Sequence, residues 1–405
     1  MTDYTHGHVI PLVGGSVIGA TEALGKPSEW IASWGKTFGA NDQYCLKYFS
    51  NTPYFELDEN KYPTQYVDIV TCLPPCAGLS NANVTKGLVG GKNPRGCNAP
   101  SNIHMLNGSE FAMSKIKPKV IMVENAPMLY SQAGEEFAER INNLAQRHNY
   151  IMSLIKTTSL NHGIPQERTR SFYFLWKGSK VPVLNPIEKP YMRFHELLRD
   201  KKFASSDLVS NKPVPSTDPL WQFIQEKYRG STKQDILAHV AGKRMVSVWN
   251  VIYDSGWLEE ACRVVKDERM NRWLNYTMEK KKLGKNIMDG SMKLAWVRTQ
   301  ALMWRTLPHL MHPYEDRWLT VSEALALMGF PDDYATKVHI PTKNSNVVCQ
   351  NVPAKTAGDW VREIVEALNG NRDWVDPELK SDGTYKILRQ NNTASKDPMK
   401  PIWDL

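Results

Sequence analysis

Between residues 119 and 158 the chain runs through an apolar segment, KVIMVEN, an amphipathic one, EEFAERINNLAQRHN, and a second apolar segment, YIMSLIKTT. Phe137, Ile141, Leu144 and Ala145 recur at helical spacing, so the middle segment predicts a helix with one apolar face between two strands. That face has to be buried, and a sheet built from the flanking runs is the surface at hand. The same alternation fills the first 178 residues, with strands expected at 8–13, 29–34, 66–73, 119–125, 150–158 and 171–177. The fold class that follows is α/β, a doubly wound sheet with crossover helices.

After Lys177 the texture changes to the Pro-rich stretches VPVLNPIEKP and NKPVPSTDP and then to charge-dense, helix-favouring sequence. A boundary near 178 is expected. Residues 177–310 carry 24 Lys and Arg against 14 Asp and Glu, a net of +10 in a chain of net +8, so the remainder is slightly acidic. A basic segment beside a near-neutral body suits a polyphosphate backbone, since Lys and Arg release its condensed counterions on docking. Six of the thirteen tryptophans also lie there (Trp221, Trp249, Trp257, Trp273, Trp296, Trp304), mostly as core, with stacking on bases as the second possibility. Near Arg317 a compact pattern resumes, LTVSEALALMGFPDDY and then QNVPAKTAGDWVREIVEAL, where Trp360, Val361, Ile364 and Leu368 form a helix face. The division expected is 1–177, 178–312, a return to the first body over 313–370, and a poorly packed polar tail over 371–405.

The six cysteines have no C-x-x-C pairing, which fits neither a disulfide framework nor a zinc ribbon, and a working cysteine would act as a thiolate. His309 and His312 have no set of zinc-spaced partners, so no metal is expected. No run of eighteen apolar residues exists and MTDYTHGHVI lacks the pattern of a signal peptide, so the expectation is a cytoplasmic protein with no membrane partner. Three places carry candidate chemistry. Pro74, Pro75 and Cys76 directly follow the apolar run VDIVTCL, which puts a thiol on a restricted loop at a strand's carboxyl end, where open α/β sheets bind ligands. Glu124 ends the run KVIMVEN and can serve as an acid. In NHGIPQERTRSFYF, Arg168 and Arg170 alternate, so an extended chain aims both guanidinium groups to one side.

Taken in order, these pieces resemble the DNA (cytosine-5)-methyltransferase family from near the start of the chain to about residue 368. Its Pro-Cys loop is matched by Pro75 and Cys76 with Ser80 following, and its Glu-Asn-Val block by Glu124 and Asn125, with Ala126 in place of valine. Its Gln-x-Arg-x-Arg block is matched by Gln166, Arg168 and Arg170, and its Arg-x-Leu-Thr-x-x-Glu run ending in Gly-Phe-Pro by Arg317, Leu319, Thr320, Glu323, Gly329, Phe330 and Pro331. The last block, Gly-Asn-x-Val, is matched in part by Gln350, Asn351 and Val352. The glycine loop departs from the family's Phe-x-Gly-x-Gly-Gly: PLVGGSVIG spaces Gly14, Gly15 and Gly19 differently and has no aromatic residue.

The resemblance implies a Rossmann-like class I fold that binds S-adenosyl-L-methionine, with 178–312 as the target-recognition domain, double-stranded DNA as partner and a monomer as the working unit. It implies Cys76 as nucleophile toward carbon 6 of a flipped-out cytosine, Glu124 at nitrogen 3, and Arg168 and Arg170 orienting the base. Pro75, Ser80, Asn125 and Gln166 would line the substrate side. Gly14, Gly15, Asp42 (ribose), Asp58 (adenine amine), Pro74 and Asn351 would line the donor side, with the adenine-stacking residue unassigned. The segment SNANVTKGLVGGKNPRG, with Lys86, Lys92 and Arg95, suits a closing lid. A tRNA-methylating branch shares the cysteine and the acid but carries a Cys-Phe-Thr tripeptide that this chain lacks. An inactive DNA-binding relative would usually have lost the cysteine or the acid, and both are present here, while the altered glycine loop would suit a modified sulfonium donor.

Overall fold

The computed structural model describes residues 3–80, 96–200, 207–242, 247–284, 292–294, 296, 299–300 and 310–393. Eight strands form one sheet: β1 (His6–Val9), β2 (Trp30–Ser33), β3 (Tyr54–Glu56), β4 (Ile69–Cys72), β5 (Val120–Asn125), β6 (Tyr150–Thr158), β7 (Thr169–Lys177) and β8 (Leu388–Asn392), in the order β8-β6-β7-β5-β4-β1-β2-β3. Seven run parallel, while β7 lies antiparallel between β5 and β6. Every residue of β1, β2, β4 and β5 is buried, as happens when helices cover both faces of a parallel sheet. The chain winds outward from β1 to β3 and then restarts at β4 on β1's other side, so the carboxyl ends of β1 and β4 flank the switch point where such sheets open a ligand crevice.

Helix α1 (Gly15–Leu24) leaves β1, α2 (Gly35–Tyr48) leaves β2, and α3 (Glu135–Arg147) joins β5 to β6 with Phe137, Ile141, Leu144 and Ala145 buried, as the periodicity predicts. Far along the chain, α4 (Ala354–Leu368) packs on α1. A Cβ at Gly19 would sit 2.3 Å from the Ala354 carbonyl and 2.6 Å from the Gly358 nitrogen, so the two backbones touch and no side chain fits between them.

A second apolar cluster gathers Trp221, Ile224, Leu237, Val248, Ile252 and Leu274 with Leu319, Leu325, Phe330 and Val348. Residues 319–348 therefore share a core with the basic segment, one that also takes in Val13, Ile18 and Tyr44 of the first body, and α4 continues into the core of the sheet. Trp221 and Trp249 are core residues there, and Trp304 lies outside the described residues. No helix of the described residues is long and apolar enough to cross a membrane.

The end of the chain corrects an expectation. Instead of a loose tail, residues 388–392 form β8, paired in parallel with β6 from Leu388 opposite Ser153 to Asn392 opposite Thr157. Asn392 accepts the Ile187 N–H at 3.0 Å and donates to the Thr157 hydroxyl at 3.0 Å, and the Trp374 indole packs edge-on against Trp176. LRQNN does not read as a strand because an edge strand is held by backbone bonds and needs no apolar alternation. Ending the chain at Asn369 is expected to lower the melting temperature by at least about 5 °C and to promote association through the bared β6 edge. Calorimetry and light scattering check this; an unchanged melt would return the tail to a passive role.

Candidate active site

Strands β4 and β5 leave the sheet side by side, with Cys72 opposite Val123, so Cys76 and Glu124 emerge at the same edge. Strand β7 runs the other way, with Glu124 opposite Phe172, so its entering residues Arg168 and Arg170 reach that edge too. Arg170 Nε lies 2.8 Å from Glu124 Oε1, both side chains being largely buried. Its N–H is not aimed along a hydrogen-bond axis at that oxygen, so the contact is one of charge. Arg170 also donates to the Thr169 carbonyl at 2.8 Å.

Cys76 is 8% exposed. Burial pushes its thiol above the ordinary cysteine range, Arg170 is the largest opposing influence, and Glu124 adds to the rise. The arginine favours the thiolate, but burial outweighs it, so Cys76 rests as a thiol. The loop is fixed by Asn125, fully buried, whose amide donates to the Pro74 carbonyl at 3.5 Å and accepts the Ala126 N–H at 2.9 Å. Pro75 and Ser80 are half-buried on either side of the thiol. The lid candidates Lys86, Lys92 and Arg95 lie outside the described residues, while the ends of that segment meet where Gly96 N–H donates to the Gly78 carbonyl at 2.9 Å.

The two arginines part ways in tertiary structure. Arg168 is 1% exposed and donates to the carbonyls of Cys349 (3.0 Å) and Asn351 (2.7 Å), and burial lowers its pKa to about 9. Gln166 likewise donates to the Leu327 carbonyl at 3.1 Å. Both stitch the entry to β7 onto the segments before α4, and it is Arg170 that faces the carboxylate. The Arg317 block is also structural: Thr320 and Glu323 form a capping box at the start of a helix over Val321–Ala326, and Arg317 pairs with Glu323 at 2.9 Å.

Where the donor side is expected, the turn from β1 to α1 holds Ile10 and Leu12 at left-handed φ of 54° and 52° and Gly14 at 98°. Asp42 is fully buried on α2 and accepts the Leu12 N–H at 3.1 Å, so it supports this turn from beneath. Burial raises its carboxyl to about 7. An acid held above its unfolded pKa binds its proton more tightly when folded, so stability is full below pH 4 and declines as pH rises toward 7. Asp42→Asn is therefore expected to melt like wild type at about pH 4 and about 5 °C higher at pH 8. Equal melts at pH 8 would mean that Asp42 carries no such cost.

A Cβ at Gly15 would lie 2.0 Å from the Val352 carbonyl and 2.5 Å from the Asn351 amide nitrogen, which brings the last block against the first turn of α1. Asn351 is fully buried, and among the described residues neither its amide oxygen nor its nitrogen has a partner; the Ser16 hydroxyl is in the same state. Buried polar atoms left unpaired are costly and mark a place for a polar ligand. Asp58 instead stands exposed in a turn and accepts the N–H groups of Asn60 and Lys61 at 2.7 Å.

Two residues beside this crevice carry no motif in the sequence. Trp34, directly after β2, is half-buried and packs edge-on to Phe111 at 6.5 Å; Glu56 ends β3, and a Cβ at Gly35 would lie 2.9 Å from its carboxyl carbon. Their signal is position at a strand's carboxyl end, hidden because Trp34 reads as the last residue of the strand itself.

No curated protein matches the chain in sequence. A solved prophage-encoded E. coli protein, assigned as a DNA modification methyltransferase, superposes with a TM-score of 0.55 at 14% identity over 91% of this chain and 100% of that one, which speaks for the fold alone. The Entamoeba histolytica methyltransferase EhMeth gives 0.49 at 12% identity, covering 92% and 99%, and a mutant Spodoptera frugiperda DNMT2 gives 0.45 at 11%, covering 90% and 100%. The family described as C-5 cytosine-specific DNA methylase matches residues 15–366, which hold six of the eight strands and the basic segment, and the chain belongs to that family.

Proposed function

We propose that the chain transfers a methyl group from S-adenosyl-L-methionine to carbon 5 of cytosine in double-stranded DNA through a covalent adduct at Cys76. The observation that carries this reading is the convergence of Cys76 with the Glu124–Arg170 pair at the carboxyl edge of β4 and β5. The donor fits the residues present. Its carboxylate suits the first turn of α1, where N–H groups point outward beside the Ser16 hydroxyl, and its amino group suits the Asn351 amide oxygen. Trp34 offers a face for adenine, which the sequence leaves unassigned, and Glu56 an acceptor for its amine, the role expected of Asp58. When bound, this group supplies an electrophilic methyl carbon.

Cys76 gives up its proton to solvent and adds through sulfur to carbon 6, the displaced ring pair being taken up as nitrogen 3 accepts a proton from Glu124, which Arg170 keeps oriented. The electron pair that reaches carbon 5 takes the methyl group. Loss of the carbon 5 proton then expels the thiolate and restores the ring. Because that carbon is stacked inside a duplex, the base must swing out, and the basic residues 178–312 supply the phosphate contacts that offset the few kcal/mol of unstacking.

Incubation with donor and mixed-sequence duplex DNA carrying 5-fluorocytosine, whose carbon 5 cannot lose a proton, is expected to trap an adduct mapping to Cys76. An adduct at another residue, or methylation of tRNA but not DNA, would overturn this reading.

A further inference from the structure

We propose that a cavity remote in sequence from Cys76, set between the helices Pro219–Lys227 and Glu268–Lys282, is a second nucleotide site that takes one unstacked base with its phosphate. The cavity holds about 550 Å³, which is room for a mononucleotide. Trp273 supplies its aromatic surface, and Trp318, 3% exposed, lines it as part of the buried core. Trp273 is held edge-on by Trp249 at 5.3 Å, and the Trp318 indole donates to the carbonyls of Lys212 (3.1 Å) and Pro213 (3.0 Å), fixing the rim loop. Rigid aromatic faces stack on bases with little loss of freedom.

The charged groups match the remaining parts of a nucleotide. Lys212 is repelled by Arg269 and drawn by Asp218, but among the described residues neither cation stands within ion-pair distance of a carboxylate, so a bound phosphate would give both a direct partner. Asp218 and Asp267 each spend one oxygen on capping a helix, Asp218 on the N–H groups of Leu220 and Trp221 and Asp267 on that of Met270. Among the described residues, the second oxygen of each accepts nothing, and such oxygens suit an exocyclic amine. A purely apolar ligand would use none of these four groups. A peptide anion would use the cations and leave the carboxylates facing it. A nucleotide uses both, and thymine, which has no exocyclic amine, fits least well.

Either an extrahelical DNA nucleotide or a free nucleotide would satisfy this chemistry. The site works without methyl transfer, so its failure and that of the Cys76 reading are separable. The test titrates the whole protein, without donor, with each deoxynucleoside 5′-monophosphate and with inorganic phosphate, followed by tryptophan fluorescence and ligand-observed NMR. Cytidine, adenosine and guanosine monophosphates are expected to bind in the millimolar range, with thymidine monophosphate and phosphate at least about tenfold weaker. Arg269→Ala and Trp273→Phe should each weaken binding about tenfold while their melting curves stay two-state. Displacement by duplex DNA identifies the occupant as a DNA nucleotide; unaltered binding in its presence identifies a free one. Absence of binding up to about 10 mM, or binding indifferent to both substitutions, overturns the site.

Discussion

Cys76→Ser is expected to lower single-turnover methyl transfer by on the order of 10⁴-fold while leaving DNA affinity within about threefold of wild type. The loss follows from the covalent step. A serine hydroxyl holds its proton far more tightly than a thiol, and the pocket already works against ionisation, since burial raises even the thiol. The affinity is retained because the change is one atom at a side chain that is 8% exposed, away from the basic segment. Filter binding and radiolabelled methyl transfer on the same preparation separate the two effects. More than a tenth of wild-type activity in the serine variant would rule out sulfur addition.

The second large effect concerns the Glu124–Arg170 pair. Arg170→Ala leaves a buried carboxylate without its cation and is expected to cost on the order of 10²- to 10³-fold in kcat, and Glu124→Gln about as much. The double variant should lose no more than the worse single one, because the two groups act as a unit. The thiol supplies an independent readout. Arg170 draws its pKa down and Glu124 pushes it up, so the pH midpoint for iodoacetamide alkylation of Cys76 should move upward in Arg170→Ala and downward in Glu124→Gln. Shifts in the same direction, or none, would separate the pair from the nucleophile.

The strands at the centre of the sheet were legible because burial on both faces writes a continuous apolar run: β4, β5 and β6 fall inside the predicted segments. Edges left weaker traces. β3 is three largely exposed residues and β8 is polar, so neither has a periodicity to read; both are held by backbone pairing, β8 with a strand far away in sequence. The Thr320–Glu323 capping box is written in the chain as T-x-x-E, a signal that needs no tertiary knowledge because the whole device spans one turn.

By itself the sequence determined the core strands β2 and β4 to β7, the thiol after β4, the carboxylate ending β5 and the alternation that brings Arg168 and Arg170 to one edge. All of these follow from local rules: strand length, side-chain period and the turn after a strand. The strand expected at 8–13 instead runs His6–Val9 and gives way to the turn before α1. Only the tertiary structure decided which arginine faces Glu124 and which is consumed by the carbonyls of Cys349 and Asn351, residues some 180 positions away. It likewise set Asp42 beneath the β1–α1 turn and left Trp34 and Glu56 beside the crevice. Side-chain roles of this kind depend on which distant backbone arrives to satisfy or bury a group, and no local pattern encodes that partner.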